Sequence, residues 1–340
     1  GDSAAIWLMT IWRFESNGYD RKLLHAIDFP NPLARSEDAK PQPLRSSTAE
    51  QMAELARKVA EVRSLTGRDK VVLVGNSRGG NSIRNFIKNG GGANFVSHAI
   101  LGGTPNHGLY DWEETRGNEF NAKGAFLTQL NAGPDEVVAG VRFMTIRSDN
   151  NDKYAQPDGM FLGKPGRPTG IGFDGPALKG AENVVIPKID HRETAFGPLA
   201  FAQMYRFITG RAPARTDILP KSEVVLNGKV NAMPGGVPTN LPVTRATVEI
   251  FEVSPATGVR AGMAAHVKTT SADGLWGPFA AKPGAYYEFV VHVPGHAITH
   301  IYRSPFPRSS DIVHLRPASL AKGDETAGSV VMINRPRGYF

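Results

Sequence analysis

The chain has 340 residues, of which 41% are hydrophobic and 21% charged, and this length allows about two domains with cores of their own. Basic residues outnumber acidic ones by 39 to 32, but they are scattered rather than clustered on a stripe, so we expect no nucleic-acid partner. No stretch approaches the roughly 20 apolar residues of a membrane-spanning helix, and the absence of cysteine excludes disulfides and thiolate metal sites.

The N-terminal part alternates apolar runs with helical patterns. Helical spacing of apolar residues indicates helices at 6–14, 47–65 and 81–88, the second with Thr48 and Gln51 as a capping box. Five apolar runs are typical of buried strands, at 23–28, 70–74, 97–101, 141–146 and 183–186. Because strands that alternate with helices are joined by right-handed crossovers, we predict an α/β domain with a doubly wound, mostly parallel sheet over residues 1–212.

Beyond residue 212 the pattern changes to short alternating strands separated by Gly and Pro turns. Strand-like segments lie at 222–226, 246–253, 286–293 and 297–302. Residues 213–340 are therefore predicted to form a smaller all-β sandwich domain. Its aromatic residues either form an apolar binding face or fill the domain's own core, and we favour the core for most of them: Trp276, Phe279, Tyr286, Tyr287 and Phe289.

Residues 71–80, VVLVGNSRGG, run from a buried strand into a serine flanked by glycines. A parallel strand ends at the carboxyl edge of its sheet, where ligands bind, and a tight turn into a helix raises Ser77 above that edge. We expect Gly75 and Gly79 to be required because a Cβ at either position would collide within the turn. Strand, G-x-S-x-G and helix together are typical of a nucleophile elbow, with an inert serine in a glycine-rich turn as the alternative.

Two neighbours of the serine belong to the predicted site. The main-chain N–H of Arg78 lies at the N-terminus of the following helix, where the partial positive charge favours an oxyanion. Asn76 precedes the serine and, with the two flanking glycines, is assigned to the elbow and the substrate pocket. We therefore predict that Arg78 donates one oxyanion hydrogen bond through its main chain.

A serine hydroxyl needs a base to take its proton, and a histidine late in the domain is the usual choice. Nine histidines are present, five of them beyond residue 210. His25 and His98 fall near or within strands and are predicted to be packed, whereas His107 follows the strand beside the elbow and is expected to border the pocket. His191 follows the last predicted strand of the domain, where the base falls in the chain order Ser, acid, His.

The acid that orients the histidine is expected just after the preceding strand. Asp149 and Asp152 both lie in the loop after residues 141–146. Asp152 lies deeper in the loop, where its carboxylate can turn back towards His191, and Asp149 suits an Asx-type turn near the strand end. We favour Asp152 and keep Asp149 as the alternative.

Four segments together resemble the α/β-hydrolase lipases, most closely the small bacterial class 2 lipases and esterases: VGNSRGGN at the elbow, LGGTPN at 101–106, FLTQLN at 126–131 and GAENV at 180–184. The resemblance covers about residues 1–212. It implies hydrolysis of carboxylic esters through an acyl-enzyme, with Ser77 as nucleophile, His191 as base and then acid, and Asp152 as its orienting partner. The β domain resembles the immunoglobulin-like or transthyretin-like accessory modules of secreted hydrolases, which implies a secreted or periplasmic location.

The N-terminus departs from the family pattern. Such enzymes take a second oxyanion donor from the loop after an early strand that ends in His-Gly. The sequence starts with GDSAA, which resembles the residues just beyond that motif. We therefore expect one central strand and one donor to precede Gly1 in a natural protein that is longer here, with the N–H of Gly1 or Asp2 as a substitute donor otherwise.

Two long segments lie between predicted strands of the first domain. Residues 109–140 either cover an acyl pocket or form an ordinary crossover helix, and residues 158–180 are a Gly- and Pro-rich loop long enough to be functional. No metal constellation, phosphate-binding loop or dinucleotide fingerprint is present in the sequence, so we predict neither metal nor cofactor.

The leading hypothesis is a serine ester hydrolase acting on small-molecule or polymeric esters with apolar groups, including lipids or polyesters, with transient contact to a lipid or polymer surface. Acyl transfer and amide hydrolysis use the same acyl-enzyme and are the enzymatic alternatives. A non-catalytic binding protein with the same fold is the alternative from another class, favoured by the missing donor.

Overall fold

The computed structural model describes residues 2–317. Its first half is built on a four-stranded sheet in the order β1-β2-β3-β4, and every neighbouring pair is parallel. The strands are β1 (Val71–Asn76), β2 (Val96–Gly102), β3 (Arg142–Arg147) and β4 (Glu182–Val185). The predicted α/β class is confirmed, and all four strands point their carboxyl ends to one edge.

Helices cover both faces of this sheet. They are α1 (Leu8–Ser16), α2 (Thr48–Thr66), α3 (Arg78–Asn89), α4 (Ala125–Leu130), α5 (Glu193–Phe196) and α6 (Pro198–Thr209). On one face, Leu55 of α2 and Phe86 of α3 pack against sheet residues such as Leu101. On the other face, Met204 of α6 packs against Ile100. The result is three layers, helix, sheet and helix, around two apolar cores.

Two local predictions in this half are wrong. The apolar run at 23–28 is not a strand: a 3-10 turn at Arg21–Leu23 leads into irregular backbone, because the run packs against α1 without pairing to a described strand. The capping box of α2 consists of Ser47 and Glu50, one residue earlier than predicted. The Ser47 hydroxyl accepts from the Glu50 N–H at 3.1 Å, and the Glu50 carboxylate accepts from the Ser47 N–H at 2.7 Å.

β1 lies at an edge of the sheet in the part of the chain that the structure describes. A cavity of about 420 Å³ runs along it, lined by residues 70–76 on one side and by residues 23–27 and Phe29 on the other. The cavity therefore extends along the edge of the sheet as far as Asn76, Arg78 and Gly79, at the end of β1.

The C-terminal domain is all-β. Strands β10-β9-β6-β7 form one antiparallel sheet and β5-β8 a two-stranded one. Their bounds are β5 (Val224–Leu226), β6 (Thr247–Val253), β7 (His266–Thr269), β8 (Phe279–Ala281), β9 (Tyr286–His292) and β10 (Thr299–Arg303). Trp276, Phe279, Tyr287 and Phe289 fill the core, and Tyr286 is 38% exposed. β7 and β8 were not predicted, since both are short.

Helix α1 belongs to the cores of both halves. Trp12 is 3% exposed and packs into the apolar core of the C-terminal domain, where its Nε1–H donates to the Ser309 carbonyl oxygen at 2.9 Å. Ile312 packs on Ala4 and Ile11 from the same side. The β domain therefore braces the N-terminal segment of the chain. No helix within residues 2–317 has the length and apolar character needed to cross a bilayer.

Candidate active site

The turn between β1 and α3 holds Ser77 in a strained conformation. Its φ of 57° and ψ of −127° lie in a region that residues with a side chain rarely adopt, so the surrounding contacts must hold it there. The Ser77 N–H donates to the Gly102 carbonyl oxygen at the end of β2, 2.8 Å away, and its own carbonyl accepts from the Gly80 N–H at 3.0 Å. The serine thus stands at the carboxyl edge of the sheet, as an elbow requires.

The glycines of the turn have different reasons to be glycine. A Cβ at Gly75 would lie 2.7 Å from the main-chain carbon of Gly79, so the expected collision is present there. A Cβ at Gly79 would meet nothing within 4 Å, and the expectation of a collision at that position is wrong. Gly80 is the crowded residue instead, since its Cβ would lie 1.9 Å from the Thr104 hydroxyl oxygen. Gly79 supplies backbone against which Gly75 packs.

His191 and Asp152 form a buried pair at the same edge. His191 is 5% exposed and Asp152 is 7% exposed, and Nδ1 of the imidazole lies 2.7 Å from Oδ2 of the carboxylate. The other carboxylate oxygen accepts from the Tyr154 N–H at 2.9 Å, and the Tyr154 ring contacts the imidazole edge-to-face. A carboxylate accepts only, so Nδ1 carries the proton and Nε2 is the basic nitrogen of the neutral ring.

The two candidate acids have different hydrogen-bond partners. Asp149 accepts from the Asn151 N–H and the Lys188 N–H, each at 3.1 Å, and these hydrogen bonds lower the pKa of its carboxyl group. It caps the loop, as the Asx-turn interpretation expects. Of the two aspartates, Asp152 makes the hydrogen bond to His191. The geometry favours Asp152 as the orienting acid.

A polar network that the sequence does not announce ties the histidine loop to the elbow. The Asn76 side-chain amide donates to the carbonyl oxygens of His191 and Gly102, both at 3.2 Å, and to the Thr194 hydroxyl at 2.9 Å. The Thr194 hydroxyl in turn donates to the His191 carbonyl oxygen at 2.8 Å. Thr194 is fully buried. Asn76 therefore links the elbow to the loop that carries His191, and it also lines the cavity along β1.

The imidazole rests against glycine backbone. A Cβ at Gly103 would lie 3.1 Å from Nδ1 of His191, and one at Gly102 would lie 2.9 Å from the Thr194 carbonyl oxygen. Gly103 also has a φ of 53°, in the left-handed region that favours glycine. The glycine pair at the end of β2 is the sequence signal of this contact: Gly102 binds the Ser77 N–H through its carbonyl oxygen, and the next residue, Gly103, contacts the His191 ring.

A small cavity of about 100 Å³ opens beside the pair. It is lined by the loop 103–109, by Asp152 and His191, and by apolar residues of the excursion 158–180, among them Ile171, Phe173 and Leu178. His107 lines this cavity too, and its Nε2 lies 2.9 Å from the Glu136 carboxylate. Burial alone would raise the pKa of Glu136, but the bonds from the Lys179 N–H and from His107 hold that pKa below its usual value.

The excursion 109–140 is fixed in place. Tyr110 and Trp112 are buried and stacked with ring centroids 4.6 Å apart, and Glu119 is 2% exposed in an ion pair with Arg78. The excursion 109–140 contains helix α4, so its interpretation as an ordinary crossover helix holds for part of its length.

Of the two substitute oxyanion donors predicted at the N-terminus, the structure describes Asp2. Gly1 is outside the described residues. Asp2 lines the cavity along β1 together with Asn76, Arg78 and Gly79, and its carboxylate lies 3.1 Å from the Arg192 guanidinium, next to His191 in the chain. Among residues 2–317, no three His, Asp or Glu side chains are arranged to hold a metal ion.

Comparisons with known proteins agree with this architecture. Residues 222–320 match the family model of the lipase C-terminal domain. No curated protein matches the chain significantly. The parallel sheet with its elbow and this C-terminal match confirm the resemblance to α/β-hydrolase lipases that carry a C-terminal β domain.

Solved structures of lipases are distantly similar. Mature lipase BlEst2 of Bacillus licheniformis is 21% identical with a TM-score of 0.42, over 61% of this chain and 88% of that one. Its propeptide form is 15% identical with a TM-score of 0.42, over 89% of this chain and 91% of that one. Lipase B of Aspergillus fumigatus is 14% identical with a TM-score of 0.35, over 50% of this chain and 43% of that one. Likeness at this distance assigns no residue and no substrate.

Proposed function

We propose that the protein is a serine carboxylic ester hydrolase that works through an acyl-enzyme, with Ser77 as nucleophile, His191 as base and Asp152 as orienting acid. The observation that carries the proposal is the 2.7 Å hydrogen bond between Nδ1 of His191 and Asp152, in a loop whose His191 carbonyl oxygen accepts from the side-chain amide of Asn76, the residue before Ser77. Serine acyl chemistry needs a nucleophilic serine and a base that a carboxylate orients, and both candidates stand at the carboxyl edge of this sheet.

The proposed reaction has two halves. Ser77 Oγ attacks the ester carbonyl carbon while Nε2 of His191 takes its proton, and the negative charge moves to the carbonyl oxygen near the Arg78 N–H. The C–O bond to the leaving alcohol then breaks, and the alcohol takes the proton from His191. Water repeats the sequence on the acyl-enzyme and releases the acid. Asp152 stabilises the imidazolium in both halves without becoming protonated.

The cavity beside His191 supports esters with an apolar group. Ile171, Phe173 and Leu178 offer apolar surface next to His191 and Asp152. Phe173→Ala should raise KM for esters with apolar acyl groups more than for acetyl esters, because the lost ring contact is apolar.

The test is covalent labelling by a fluorophosphonate probe, followed by intact-mass measurement. We expect one label on the parent protein and none on Ser77→Ala. Ser97→Ala is the matched control, because Ser97 lies at the other end of the neighbouring strand β2, where its hydroxyl donates to the Val71 carbonyl oxygen. Labelling of Ser77→Ala at the parent rate would refute the nucleophile assignment.

Product analysis separates the related reactions. Parent protein with an ester and an added alcohol acceptor should yield the free acid, and amide analogues should turn over more slowly. A transesterified product as the main outcome would indicate acyl transfer, and faster amide cleavage would indicate an amidase. Absence of both turnover and labelling in the parent would favour the non-catalytic binding protein.

A further inference from the structure

The side chain of Arg78 is buried and fully engaged at the base of the elbow. It is 3% exposed and makes a two-point ion pair with Glu119, from Nε to Oε1 at 2.8 Å and from one terminal nitrogen to Oε2 at 2.6 Å. The guanidinium also donates to the Pro32 carbonyl oxygen at 3.0 Å, and to the hydroxyl and carbonyl oxygens of Ser46 at 2.9 and 2.6 Å. Its planar set of donors is thereby used on two loops at once.

These two loops also hold each other. The Asp38 N–H donates to the Gly117 carbonyl oxygen at 2.8 Å, and the Asn118 side-chain amide donates to the Arg35 carbonyl oxygen at 3.1 Å. Glu119 is itself 2% exposed, and burial raises the pKa of its carboxyl group while the Arg78 contact opposes that rise. Arg78 is therefore anchored to two loops that also bind each other, residues 32–46 and the excursion 109–140.

The anchored residue is the one that follows the strained serine. Ser77 keeps its unusual backbone only because neighbouring contacts hold it there. The Arg78 N–H is the donor that the proposed reaction needs for the developing oxyanion, and such a donor works only when it is oriented in advance. The Arg78 side chain holds the first turn of α3 against the two loops, and in this way it orients the peptide unit that contains the Arg78 N–H.

We propose that Arg78 and Glu119 are a positioning pair, whose buried ion pair orients the Arg78 N–H and Ser77 for acyl transfer, in addition to any contribution to stability. The proposal rests on the proposed ester hydrolase function. The side chains of the pair act through the backbone of the elbow and do not touch the reacting atoms.

The test separates positioning from stability. Removal of one partner leaves an unpaired buried charge, whereas replacement of both by apolar residues of similar volume can restore stability. We therefore compare Arg78→Met, Glu119→Leu and the double variant for thermal midpoint, for kcat and KM on a p-nitrophenyl ester, and for the rate of fluorophosphonate labelling. The double variant should have a higher thermal midpoint than either single variant, short of the parental value because the Pro32 and Ser46 oxygens lose their donor. Its kcat and labelling rate should stay lower on the order of 10- to 100-fold, with KM little changed.

Two further variants keep the result interpretable. Arg78→Lys retains the charge but cannot make the two-point contact, so it should fold and show the same loss in kcat. The matched control is the pair of Arg308 and Glu15, largely buried side chains 3.7 Å apart between the C-terminal domain and α1. The double change Arg308→Met with Glu15→Leu should lower the thermal midpoint at most and leave kcat unchanged.

Each outcome decides one question. Parental kcat and labelling in the Arg78→Lys variant, or in a folded double variant, would overturn the positioning role while leaving the hydrolase proposal intact. A loss of kcat in the Arg308 and Glu15 control equal to that in the Arg78 variants would overturn it too, since the effect would then follow stability. No turnover and no labelling of the parent protein would overturn the proposed function and this inference with it.

Discussion

The side-chain amide of Asn76 donates a hydrogen bond to the main-chain carbonyl oxygen of His191, 3.2 Å away. The residue before the candidate nucleophile thus fixes the loop that carries the candidate base. The same amide reaches the Thr194 hydroxyl and the carbonyl oxygen of Gly102, so a single side chain joins the ends of β1 and β2 to the loop before α5.

Asn76→Ala should remove the link between the elbow and the His191 loop while leaving Ser77, His191 and Asp152 unchanged in the sequence. We expect kcat/KM for an ester substrate to fall on the order of 10- to 100-fold, because a small displacement of His191 costs that much in alignment. Asn85→Ala is the control: Asn85 is buried on α3, and its amide donates to the Thr48 carbonyl oxygen at 3.3 Å, at the contact with α2 and away from His191. Equal turnover of the two variants in steady-state assays would contradict the role of Asn76.

The choice between the two aspartates can be made by matched substitutions. Asp152→Asn removes the acceptor that orients His191, and we expect kcat to fall on the order of 1,000- to 10,000-fold. Asp149→Asn removes one charge from a loop cap and should leave kcat near the parental value. Circular dichroism of both variants checks the fold. A collapse of turnover in Asp149→Asn alone would transfer the role of acid to Asp149.

Chain order predicted which of the candidate residues follow strands of the parallel sheet. Ser77, Asp152 and His191 each follow an apolar run that forms a strand, and parallel strands bring their carboxyl ends to one edge. The glycines around the serine gave a second, local signal for the turn. Strand positions in the first half were predictable for the same reason, because buried parallel strands are short apolar runs bounded by polar residues.

Contacts between distant segments were not predictable. The bond between Asn76 and Thr194 joins residues 118 positions apart, and the ion pair of Arg78 and Glu119 joins residues 41 positions apart. No local pattern encodes either contact. The strand predicted at 23–28 was wrong for a related reason. Side chains of this run pack on α1, as expected of a core segment, but a strand also needs a neighbouring main chain to pair with.

Glycine substitutions in the elbow test the crowding there. Gly80→Ala and Gly75→Ala should each lower the free energy of unfolding by about 1–3 kcal/mol, because the new methyl groups overlap Thr104 and the Gly79 backbone. Gly79→Ala meets open space inside a helix and should raise the free energy of unfolding by about 0.4–1 kcal/mol. Urea titration of the three variants measures these differences. A lower free energy of unfolding for Gly79→Ala than for the parent protein would contradict the open space found at Gly79.

The packing of α1 makes the two halves of the chain mutually dependent. Trp12→Ala empties a site in the C-terminal core and removes the hydrogen bond to Ser309, so the free energy of unfolding should fall by about 3–5 kcal/mol. Met9 lies on the same helix but is 36% exposed, and Met9→Ala should change stability by no more than about 0.5 kcal/mol. Urea titration followed by far-ultraviolet circular dichroism measures both free energies of unfolding, because this signal comes mainly from the backbone. Equal stability of the two variants would contradict the shared core.

A buried carboxylate at the contact between the halves should make stability depend on acid. Asp28 accepts from the Ala4 N–H at 2.7 Å, from the Lys229 ammonium at 2.6 Å and from Nε2 of His314 at 3.1 Å. Burial alone would raise the pKa of Asp28, but His314, the Ala4 N–H and Lys229 outweigh it and hold the pKa well below its usual range.

The sign of the effect follows from that lowered pKa. The folded state favours the ionised carboxylate, so its contribution to stability is present above the unfolded pKa of about 3.9 and is lost as the pH falls further. Asp28→Asn lacks the contribution at every pH. Its thermal midpoint should therefore lie below that of the parent at pH 7, and the difference should shrink between pH 4 and pH 2. Asp69→Asn, at an exposed position, should show no such change, and a constant difference for Asp28→Asn over this range would show that the carboxylate is not held in its ionised form by the fold.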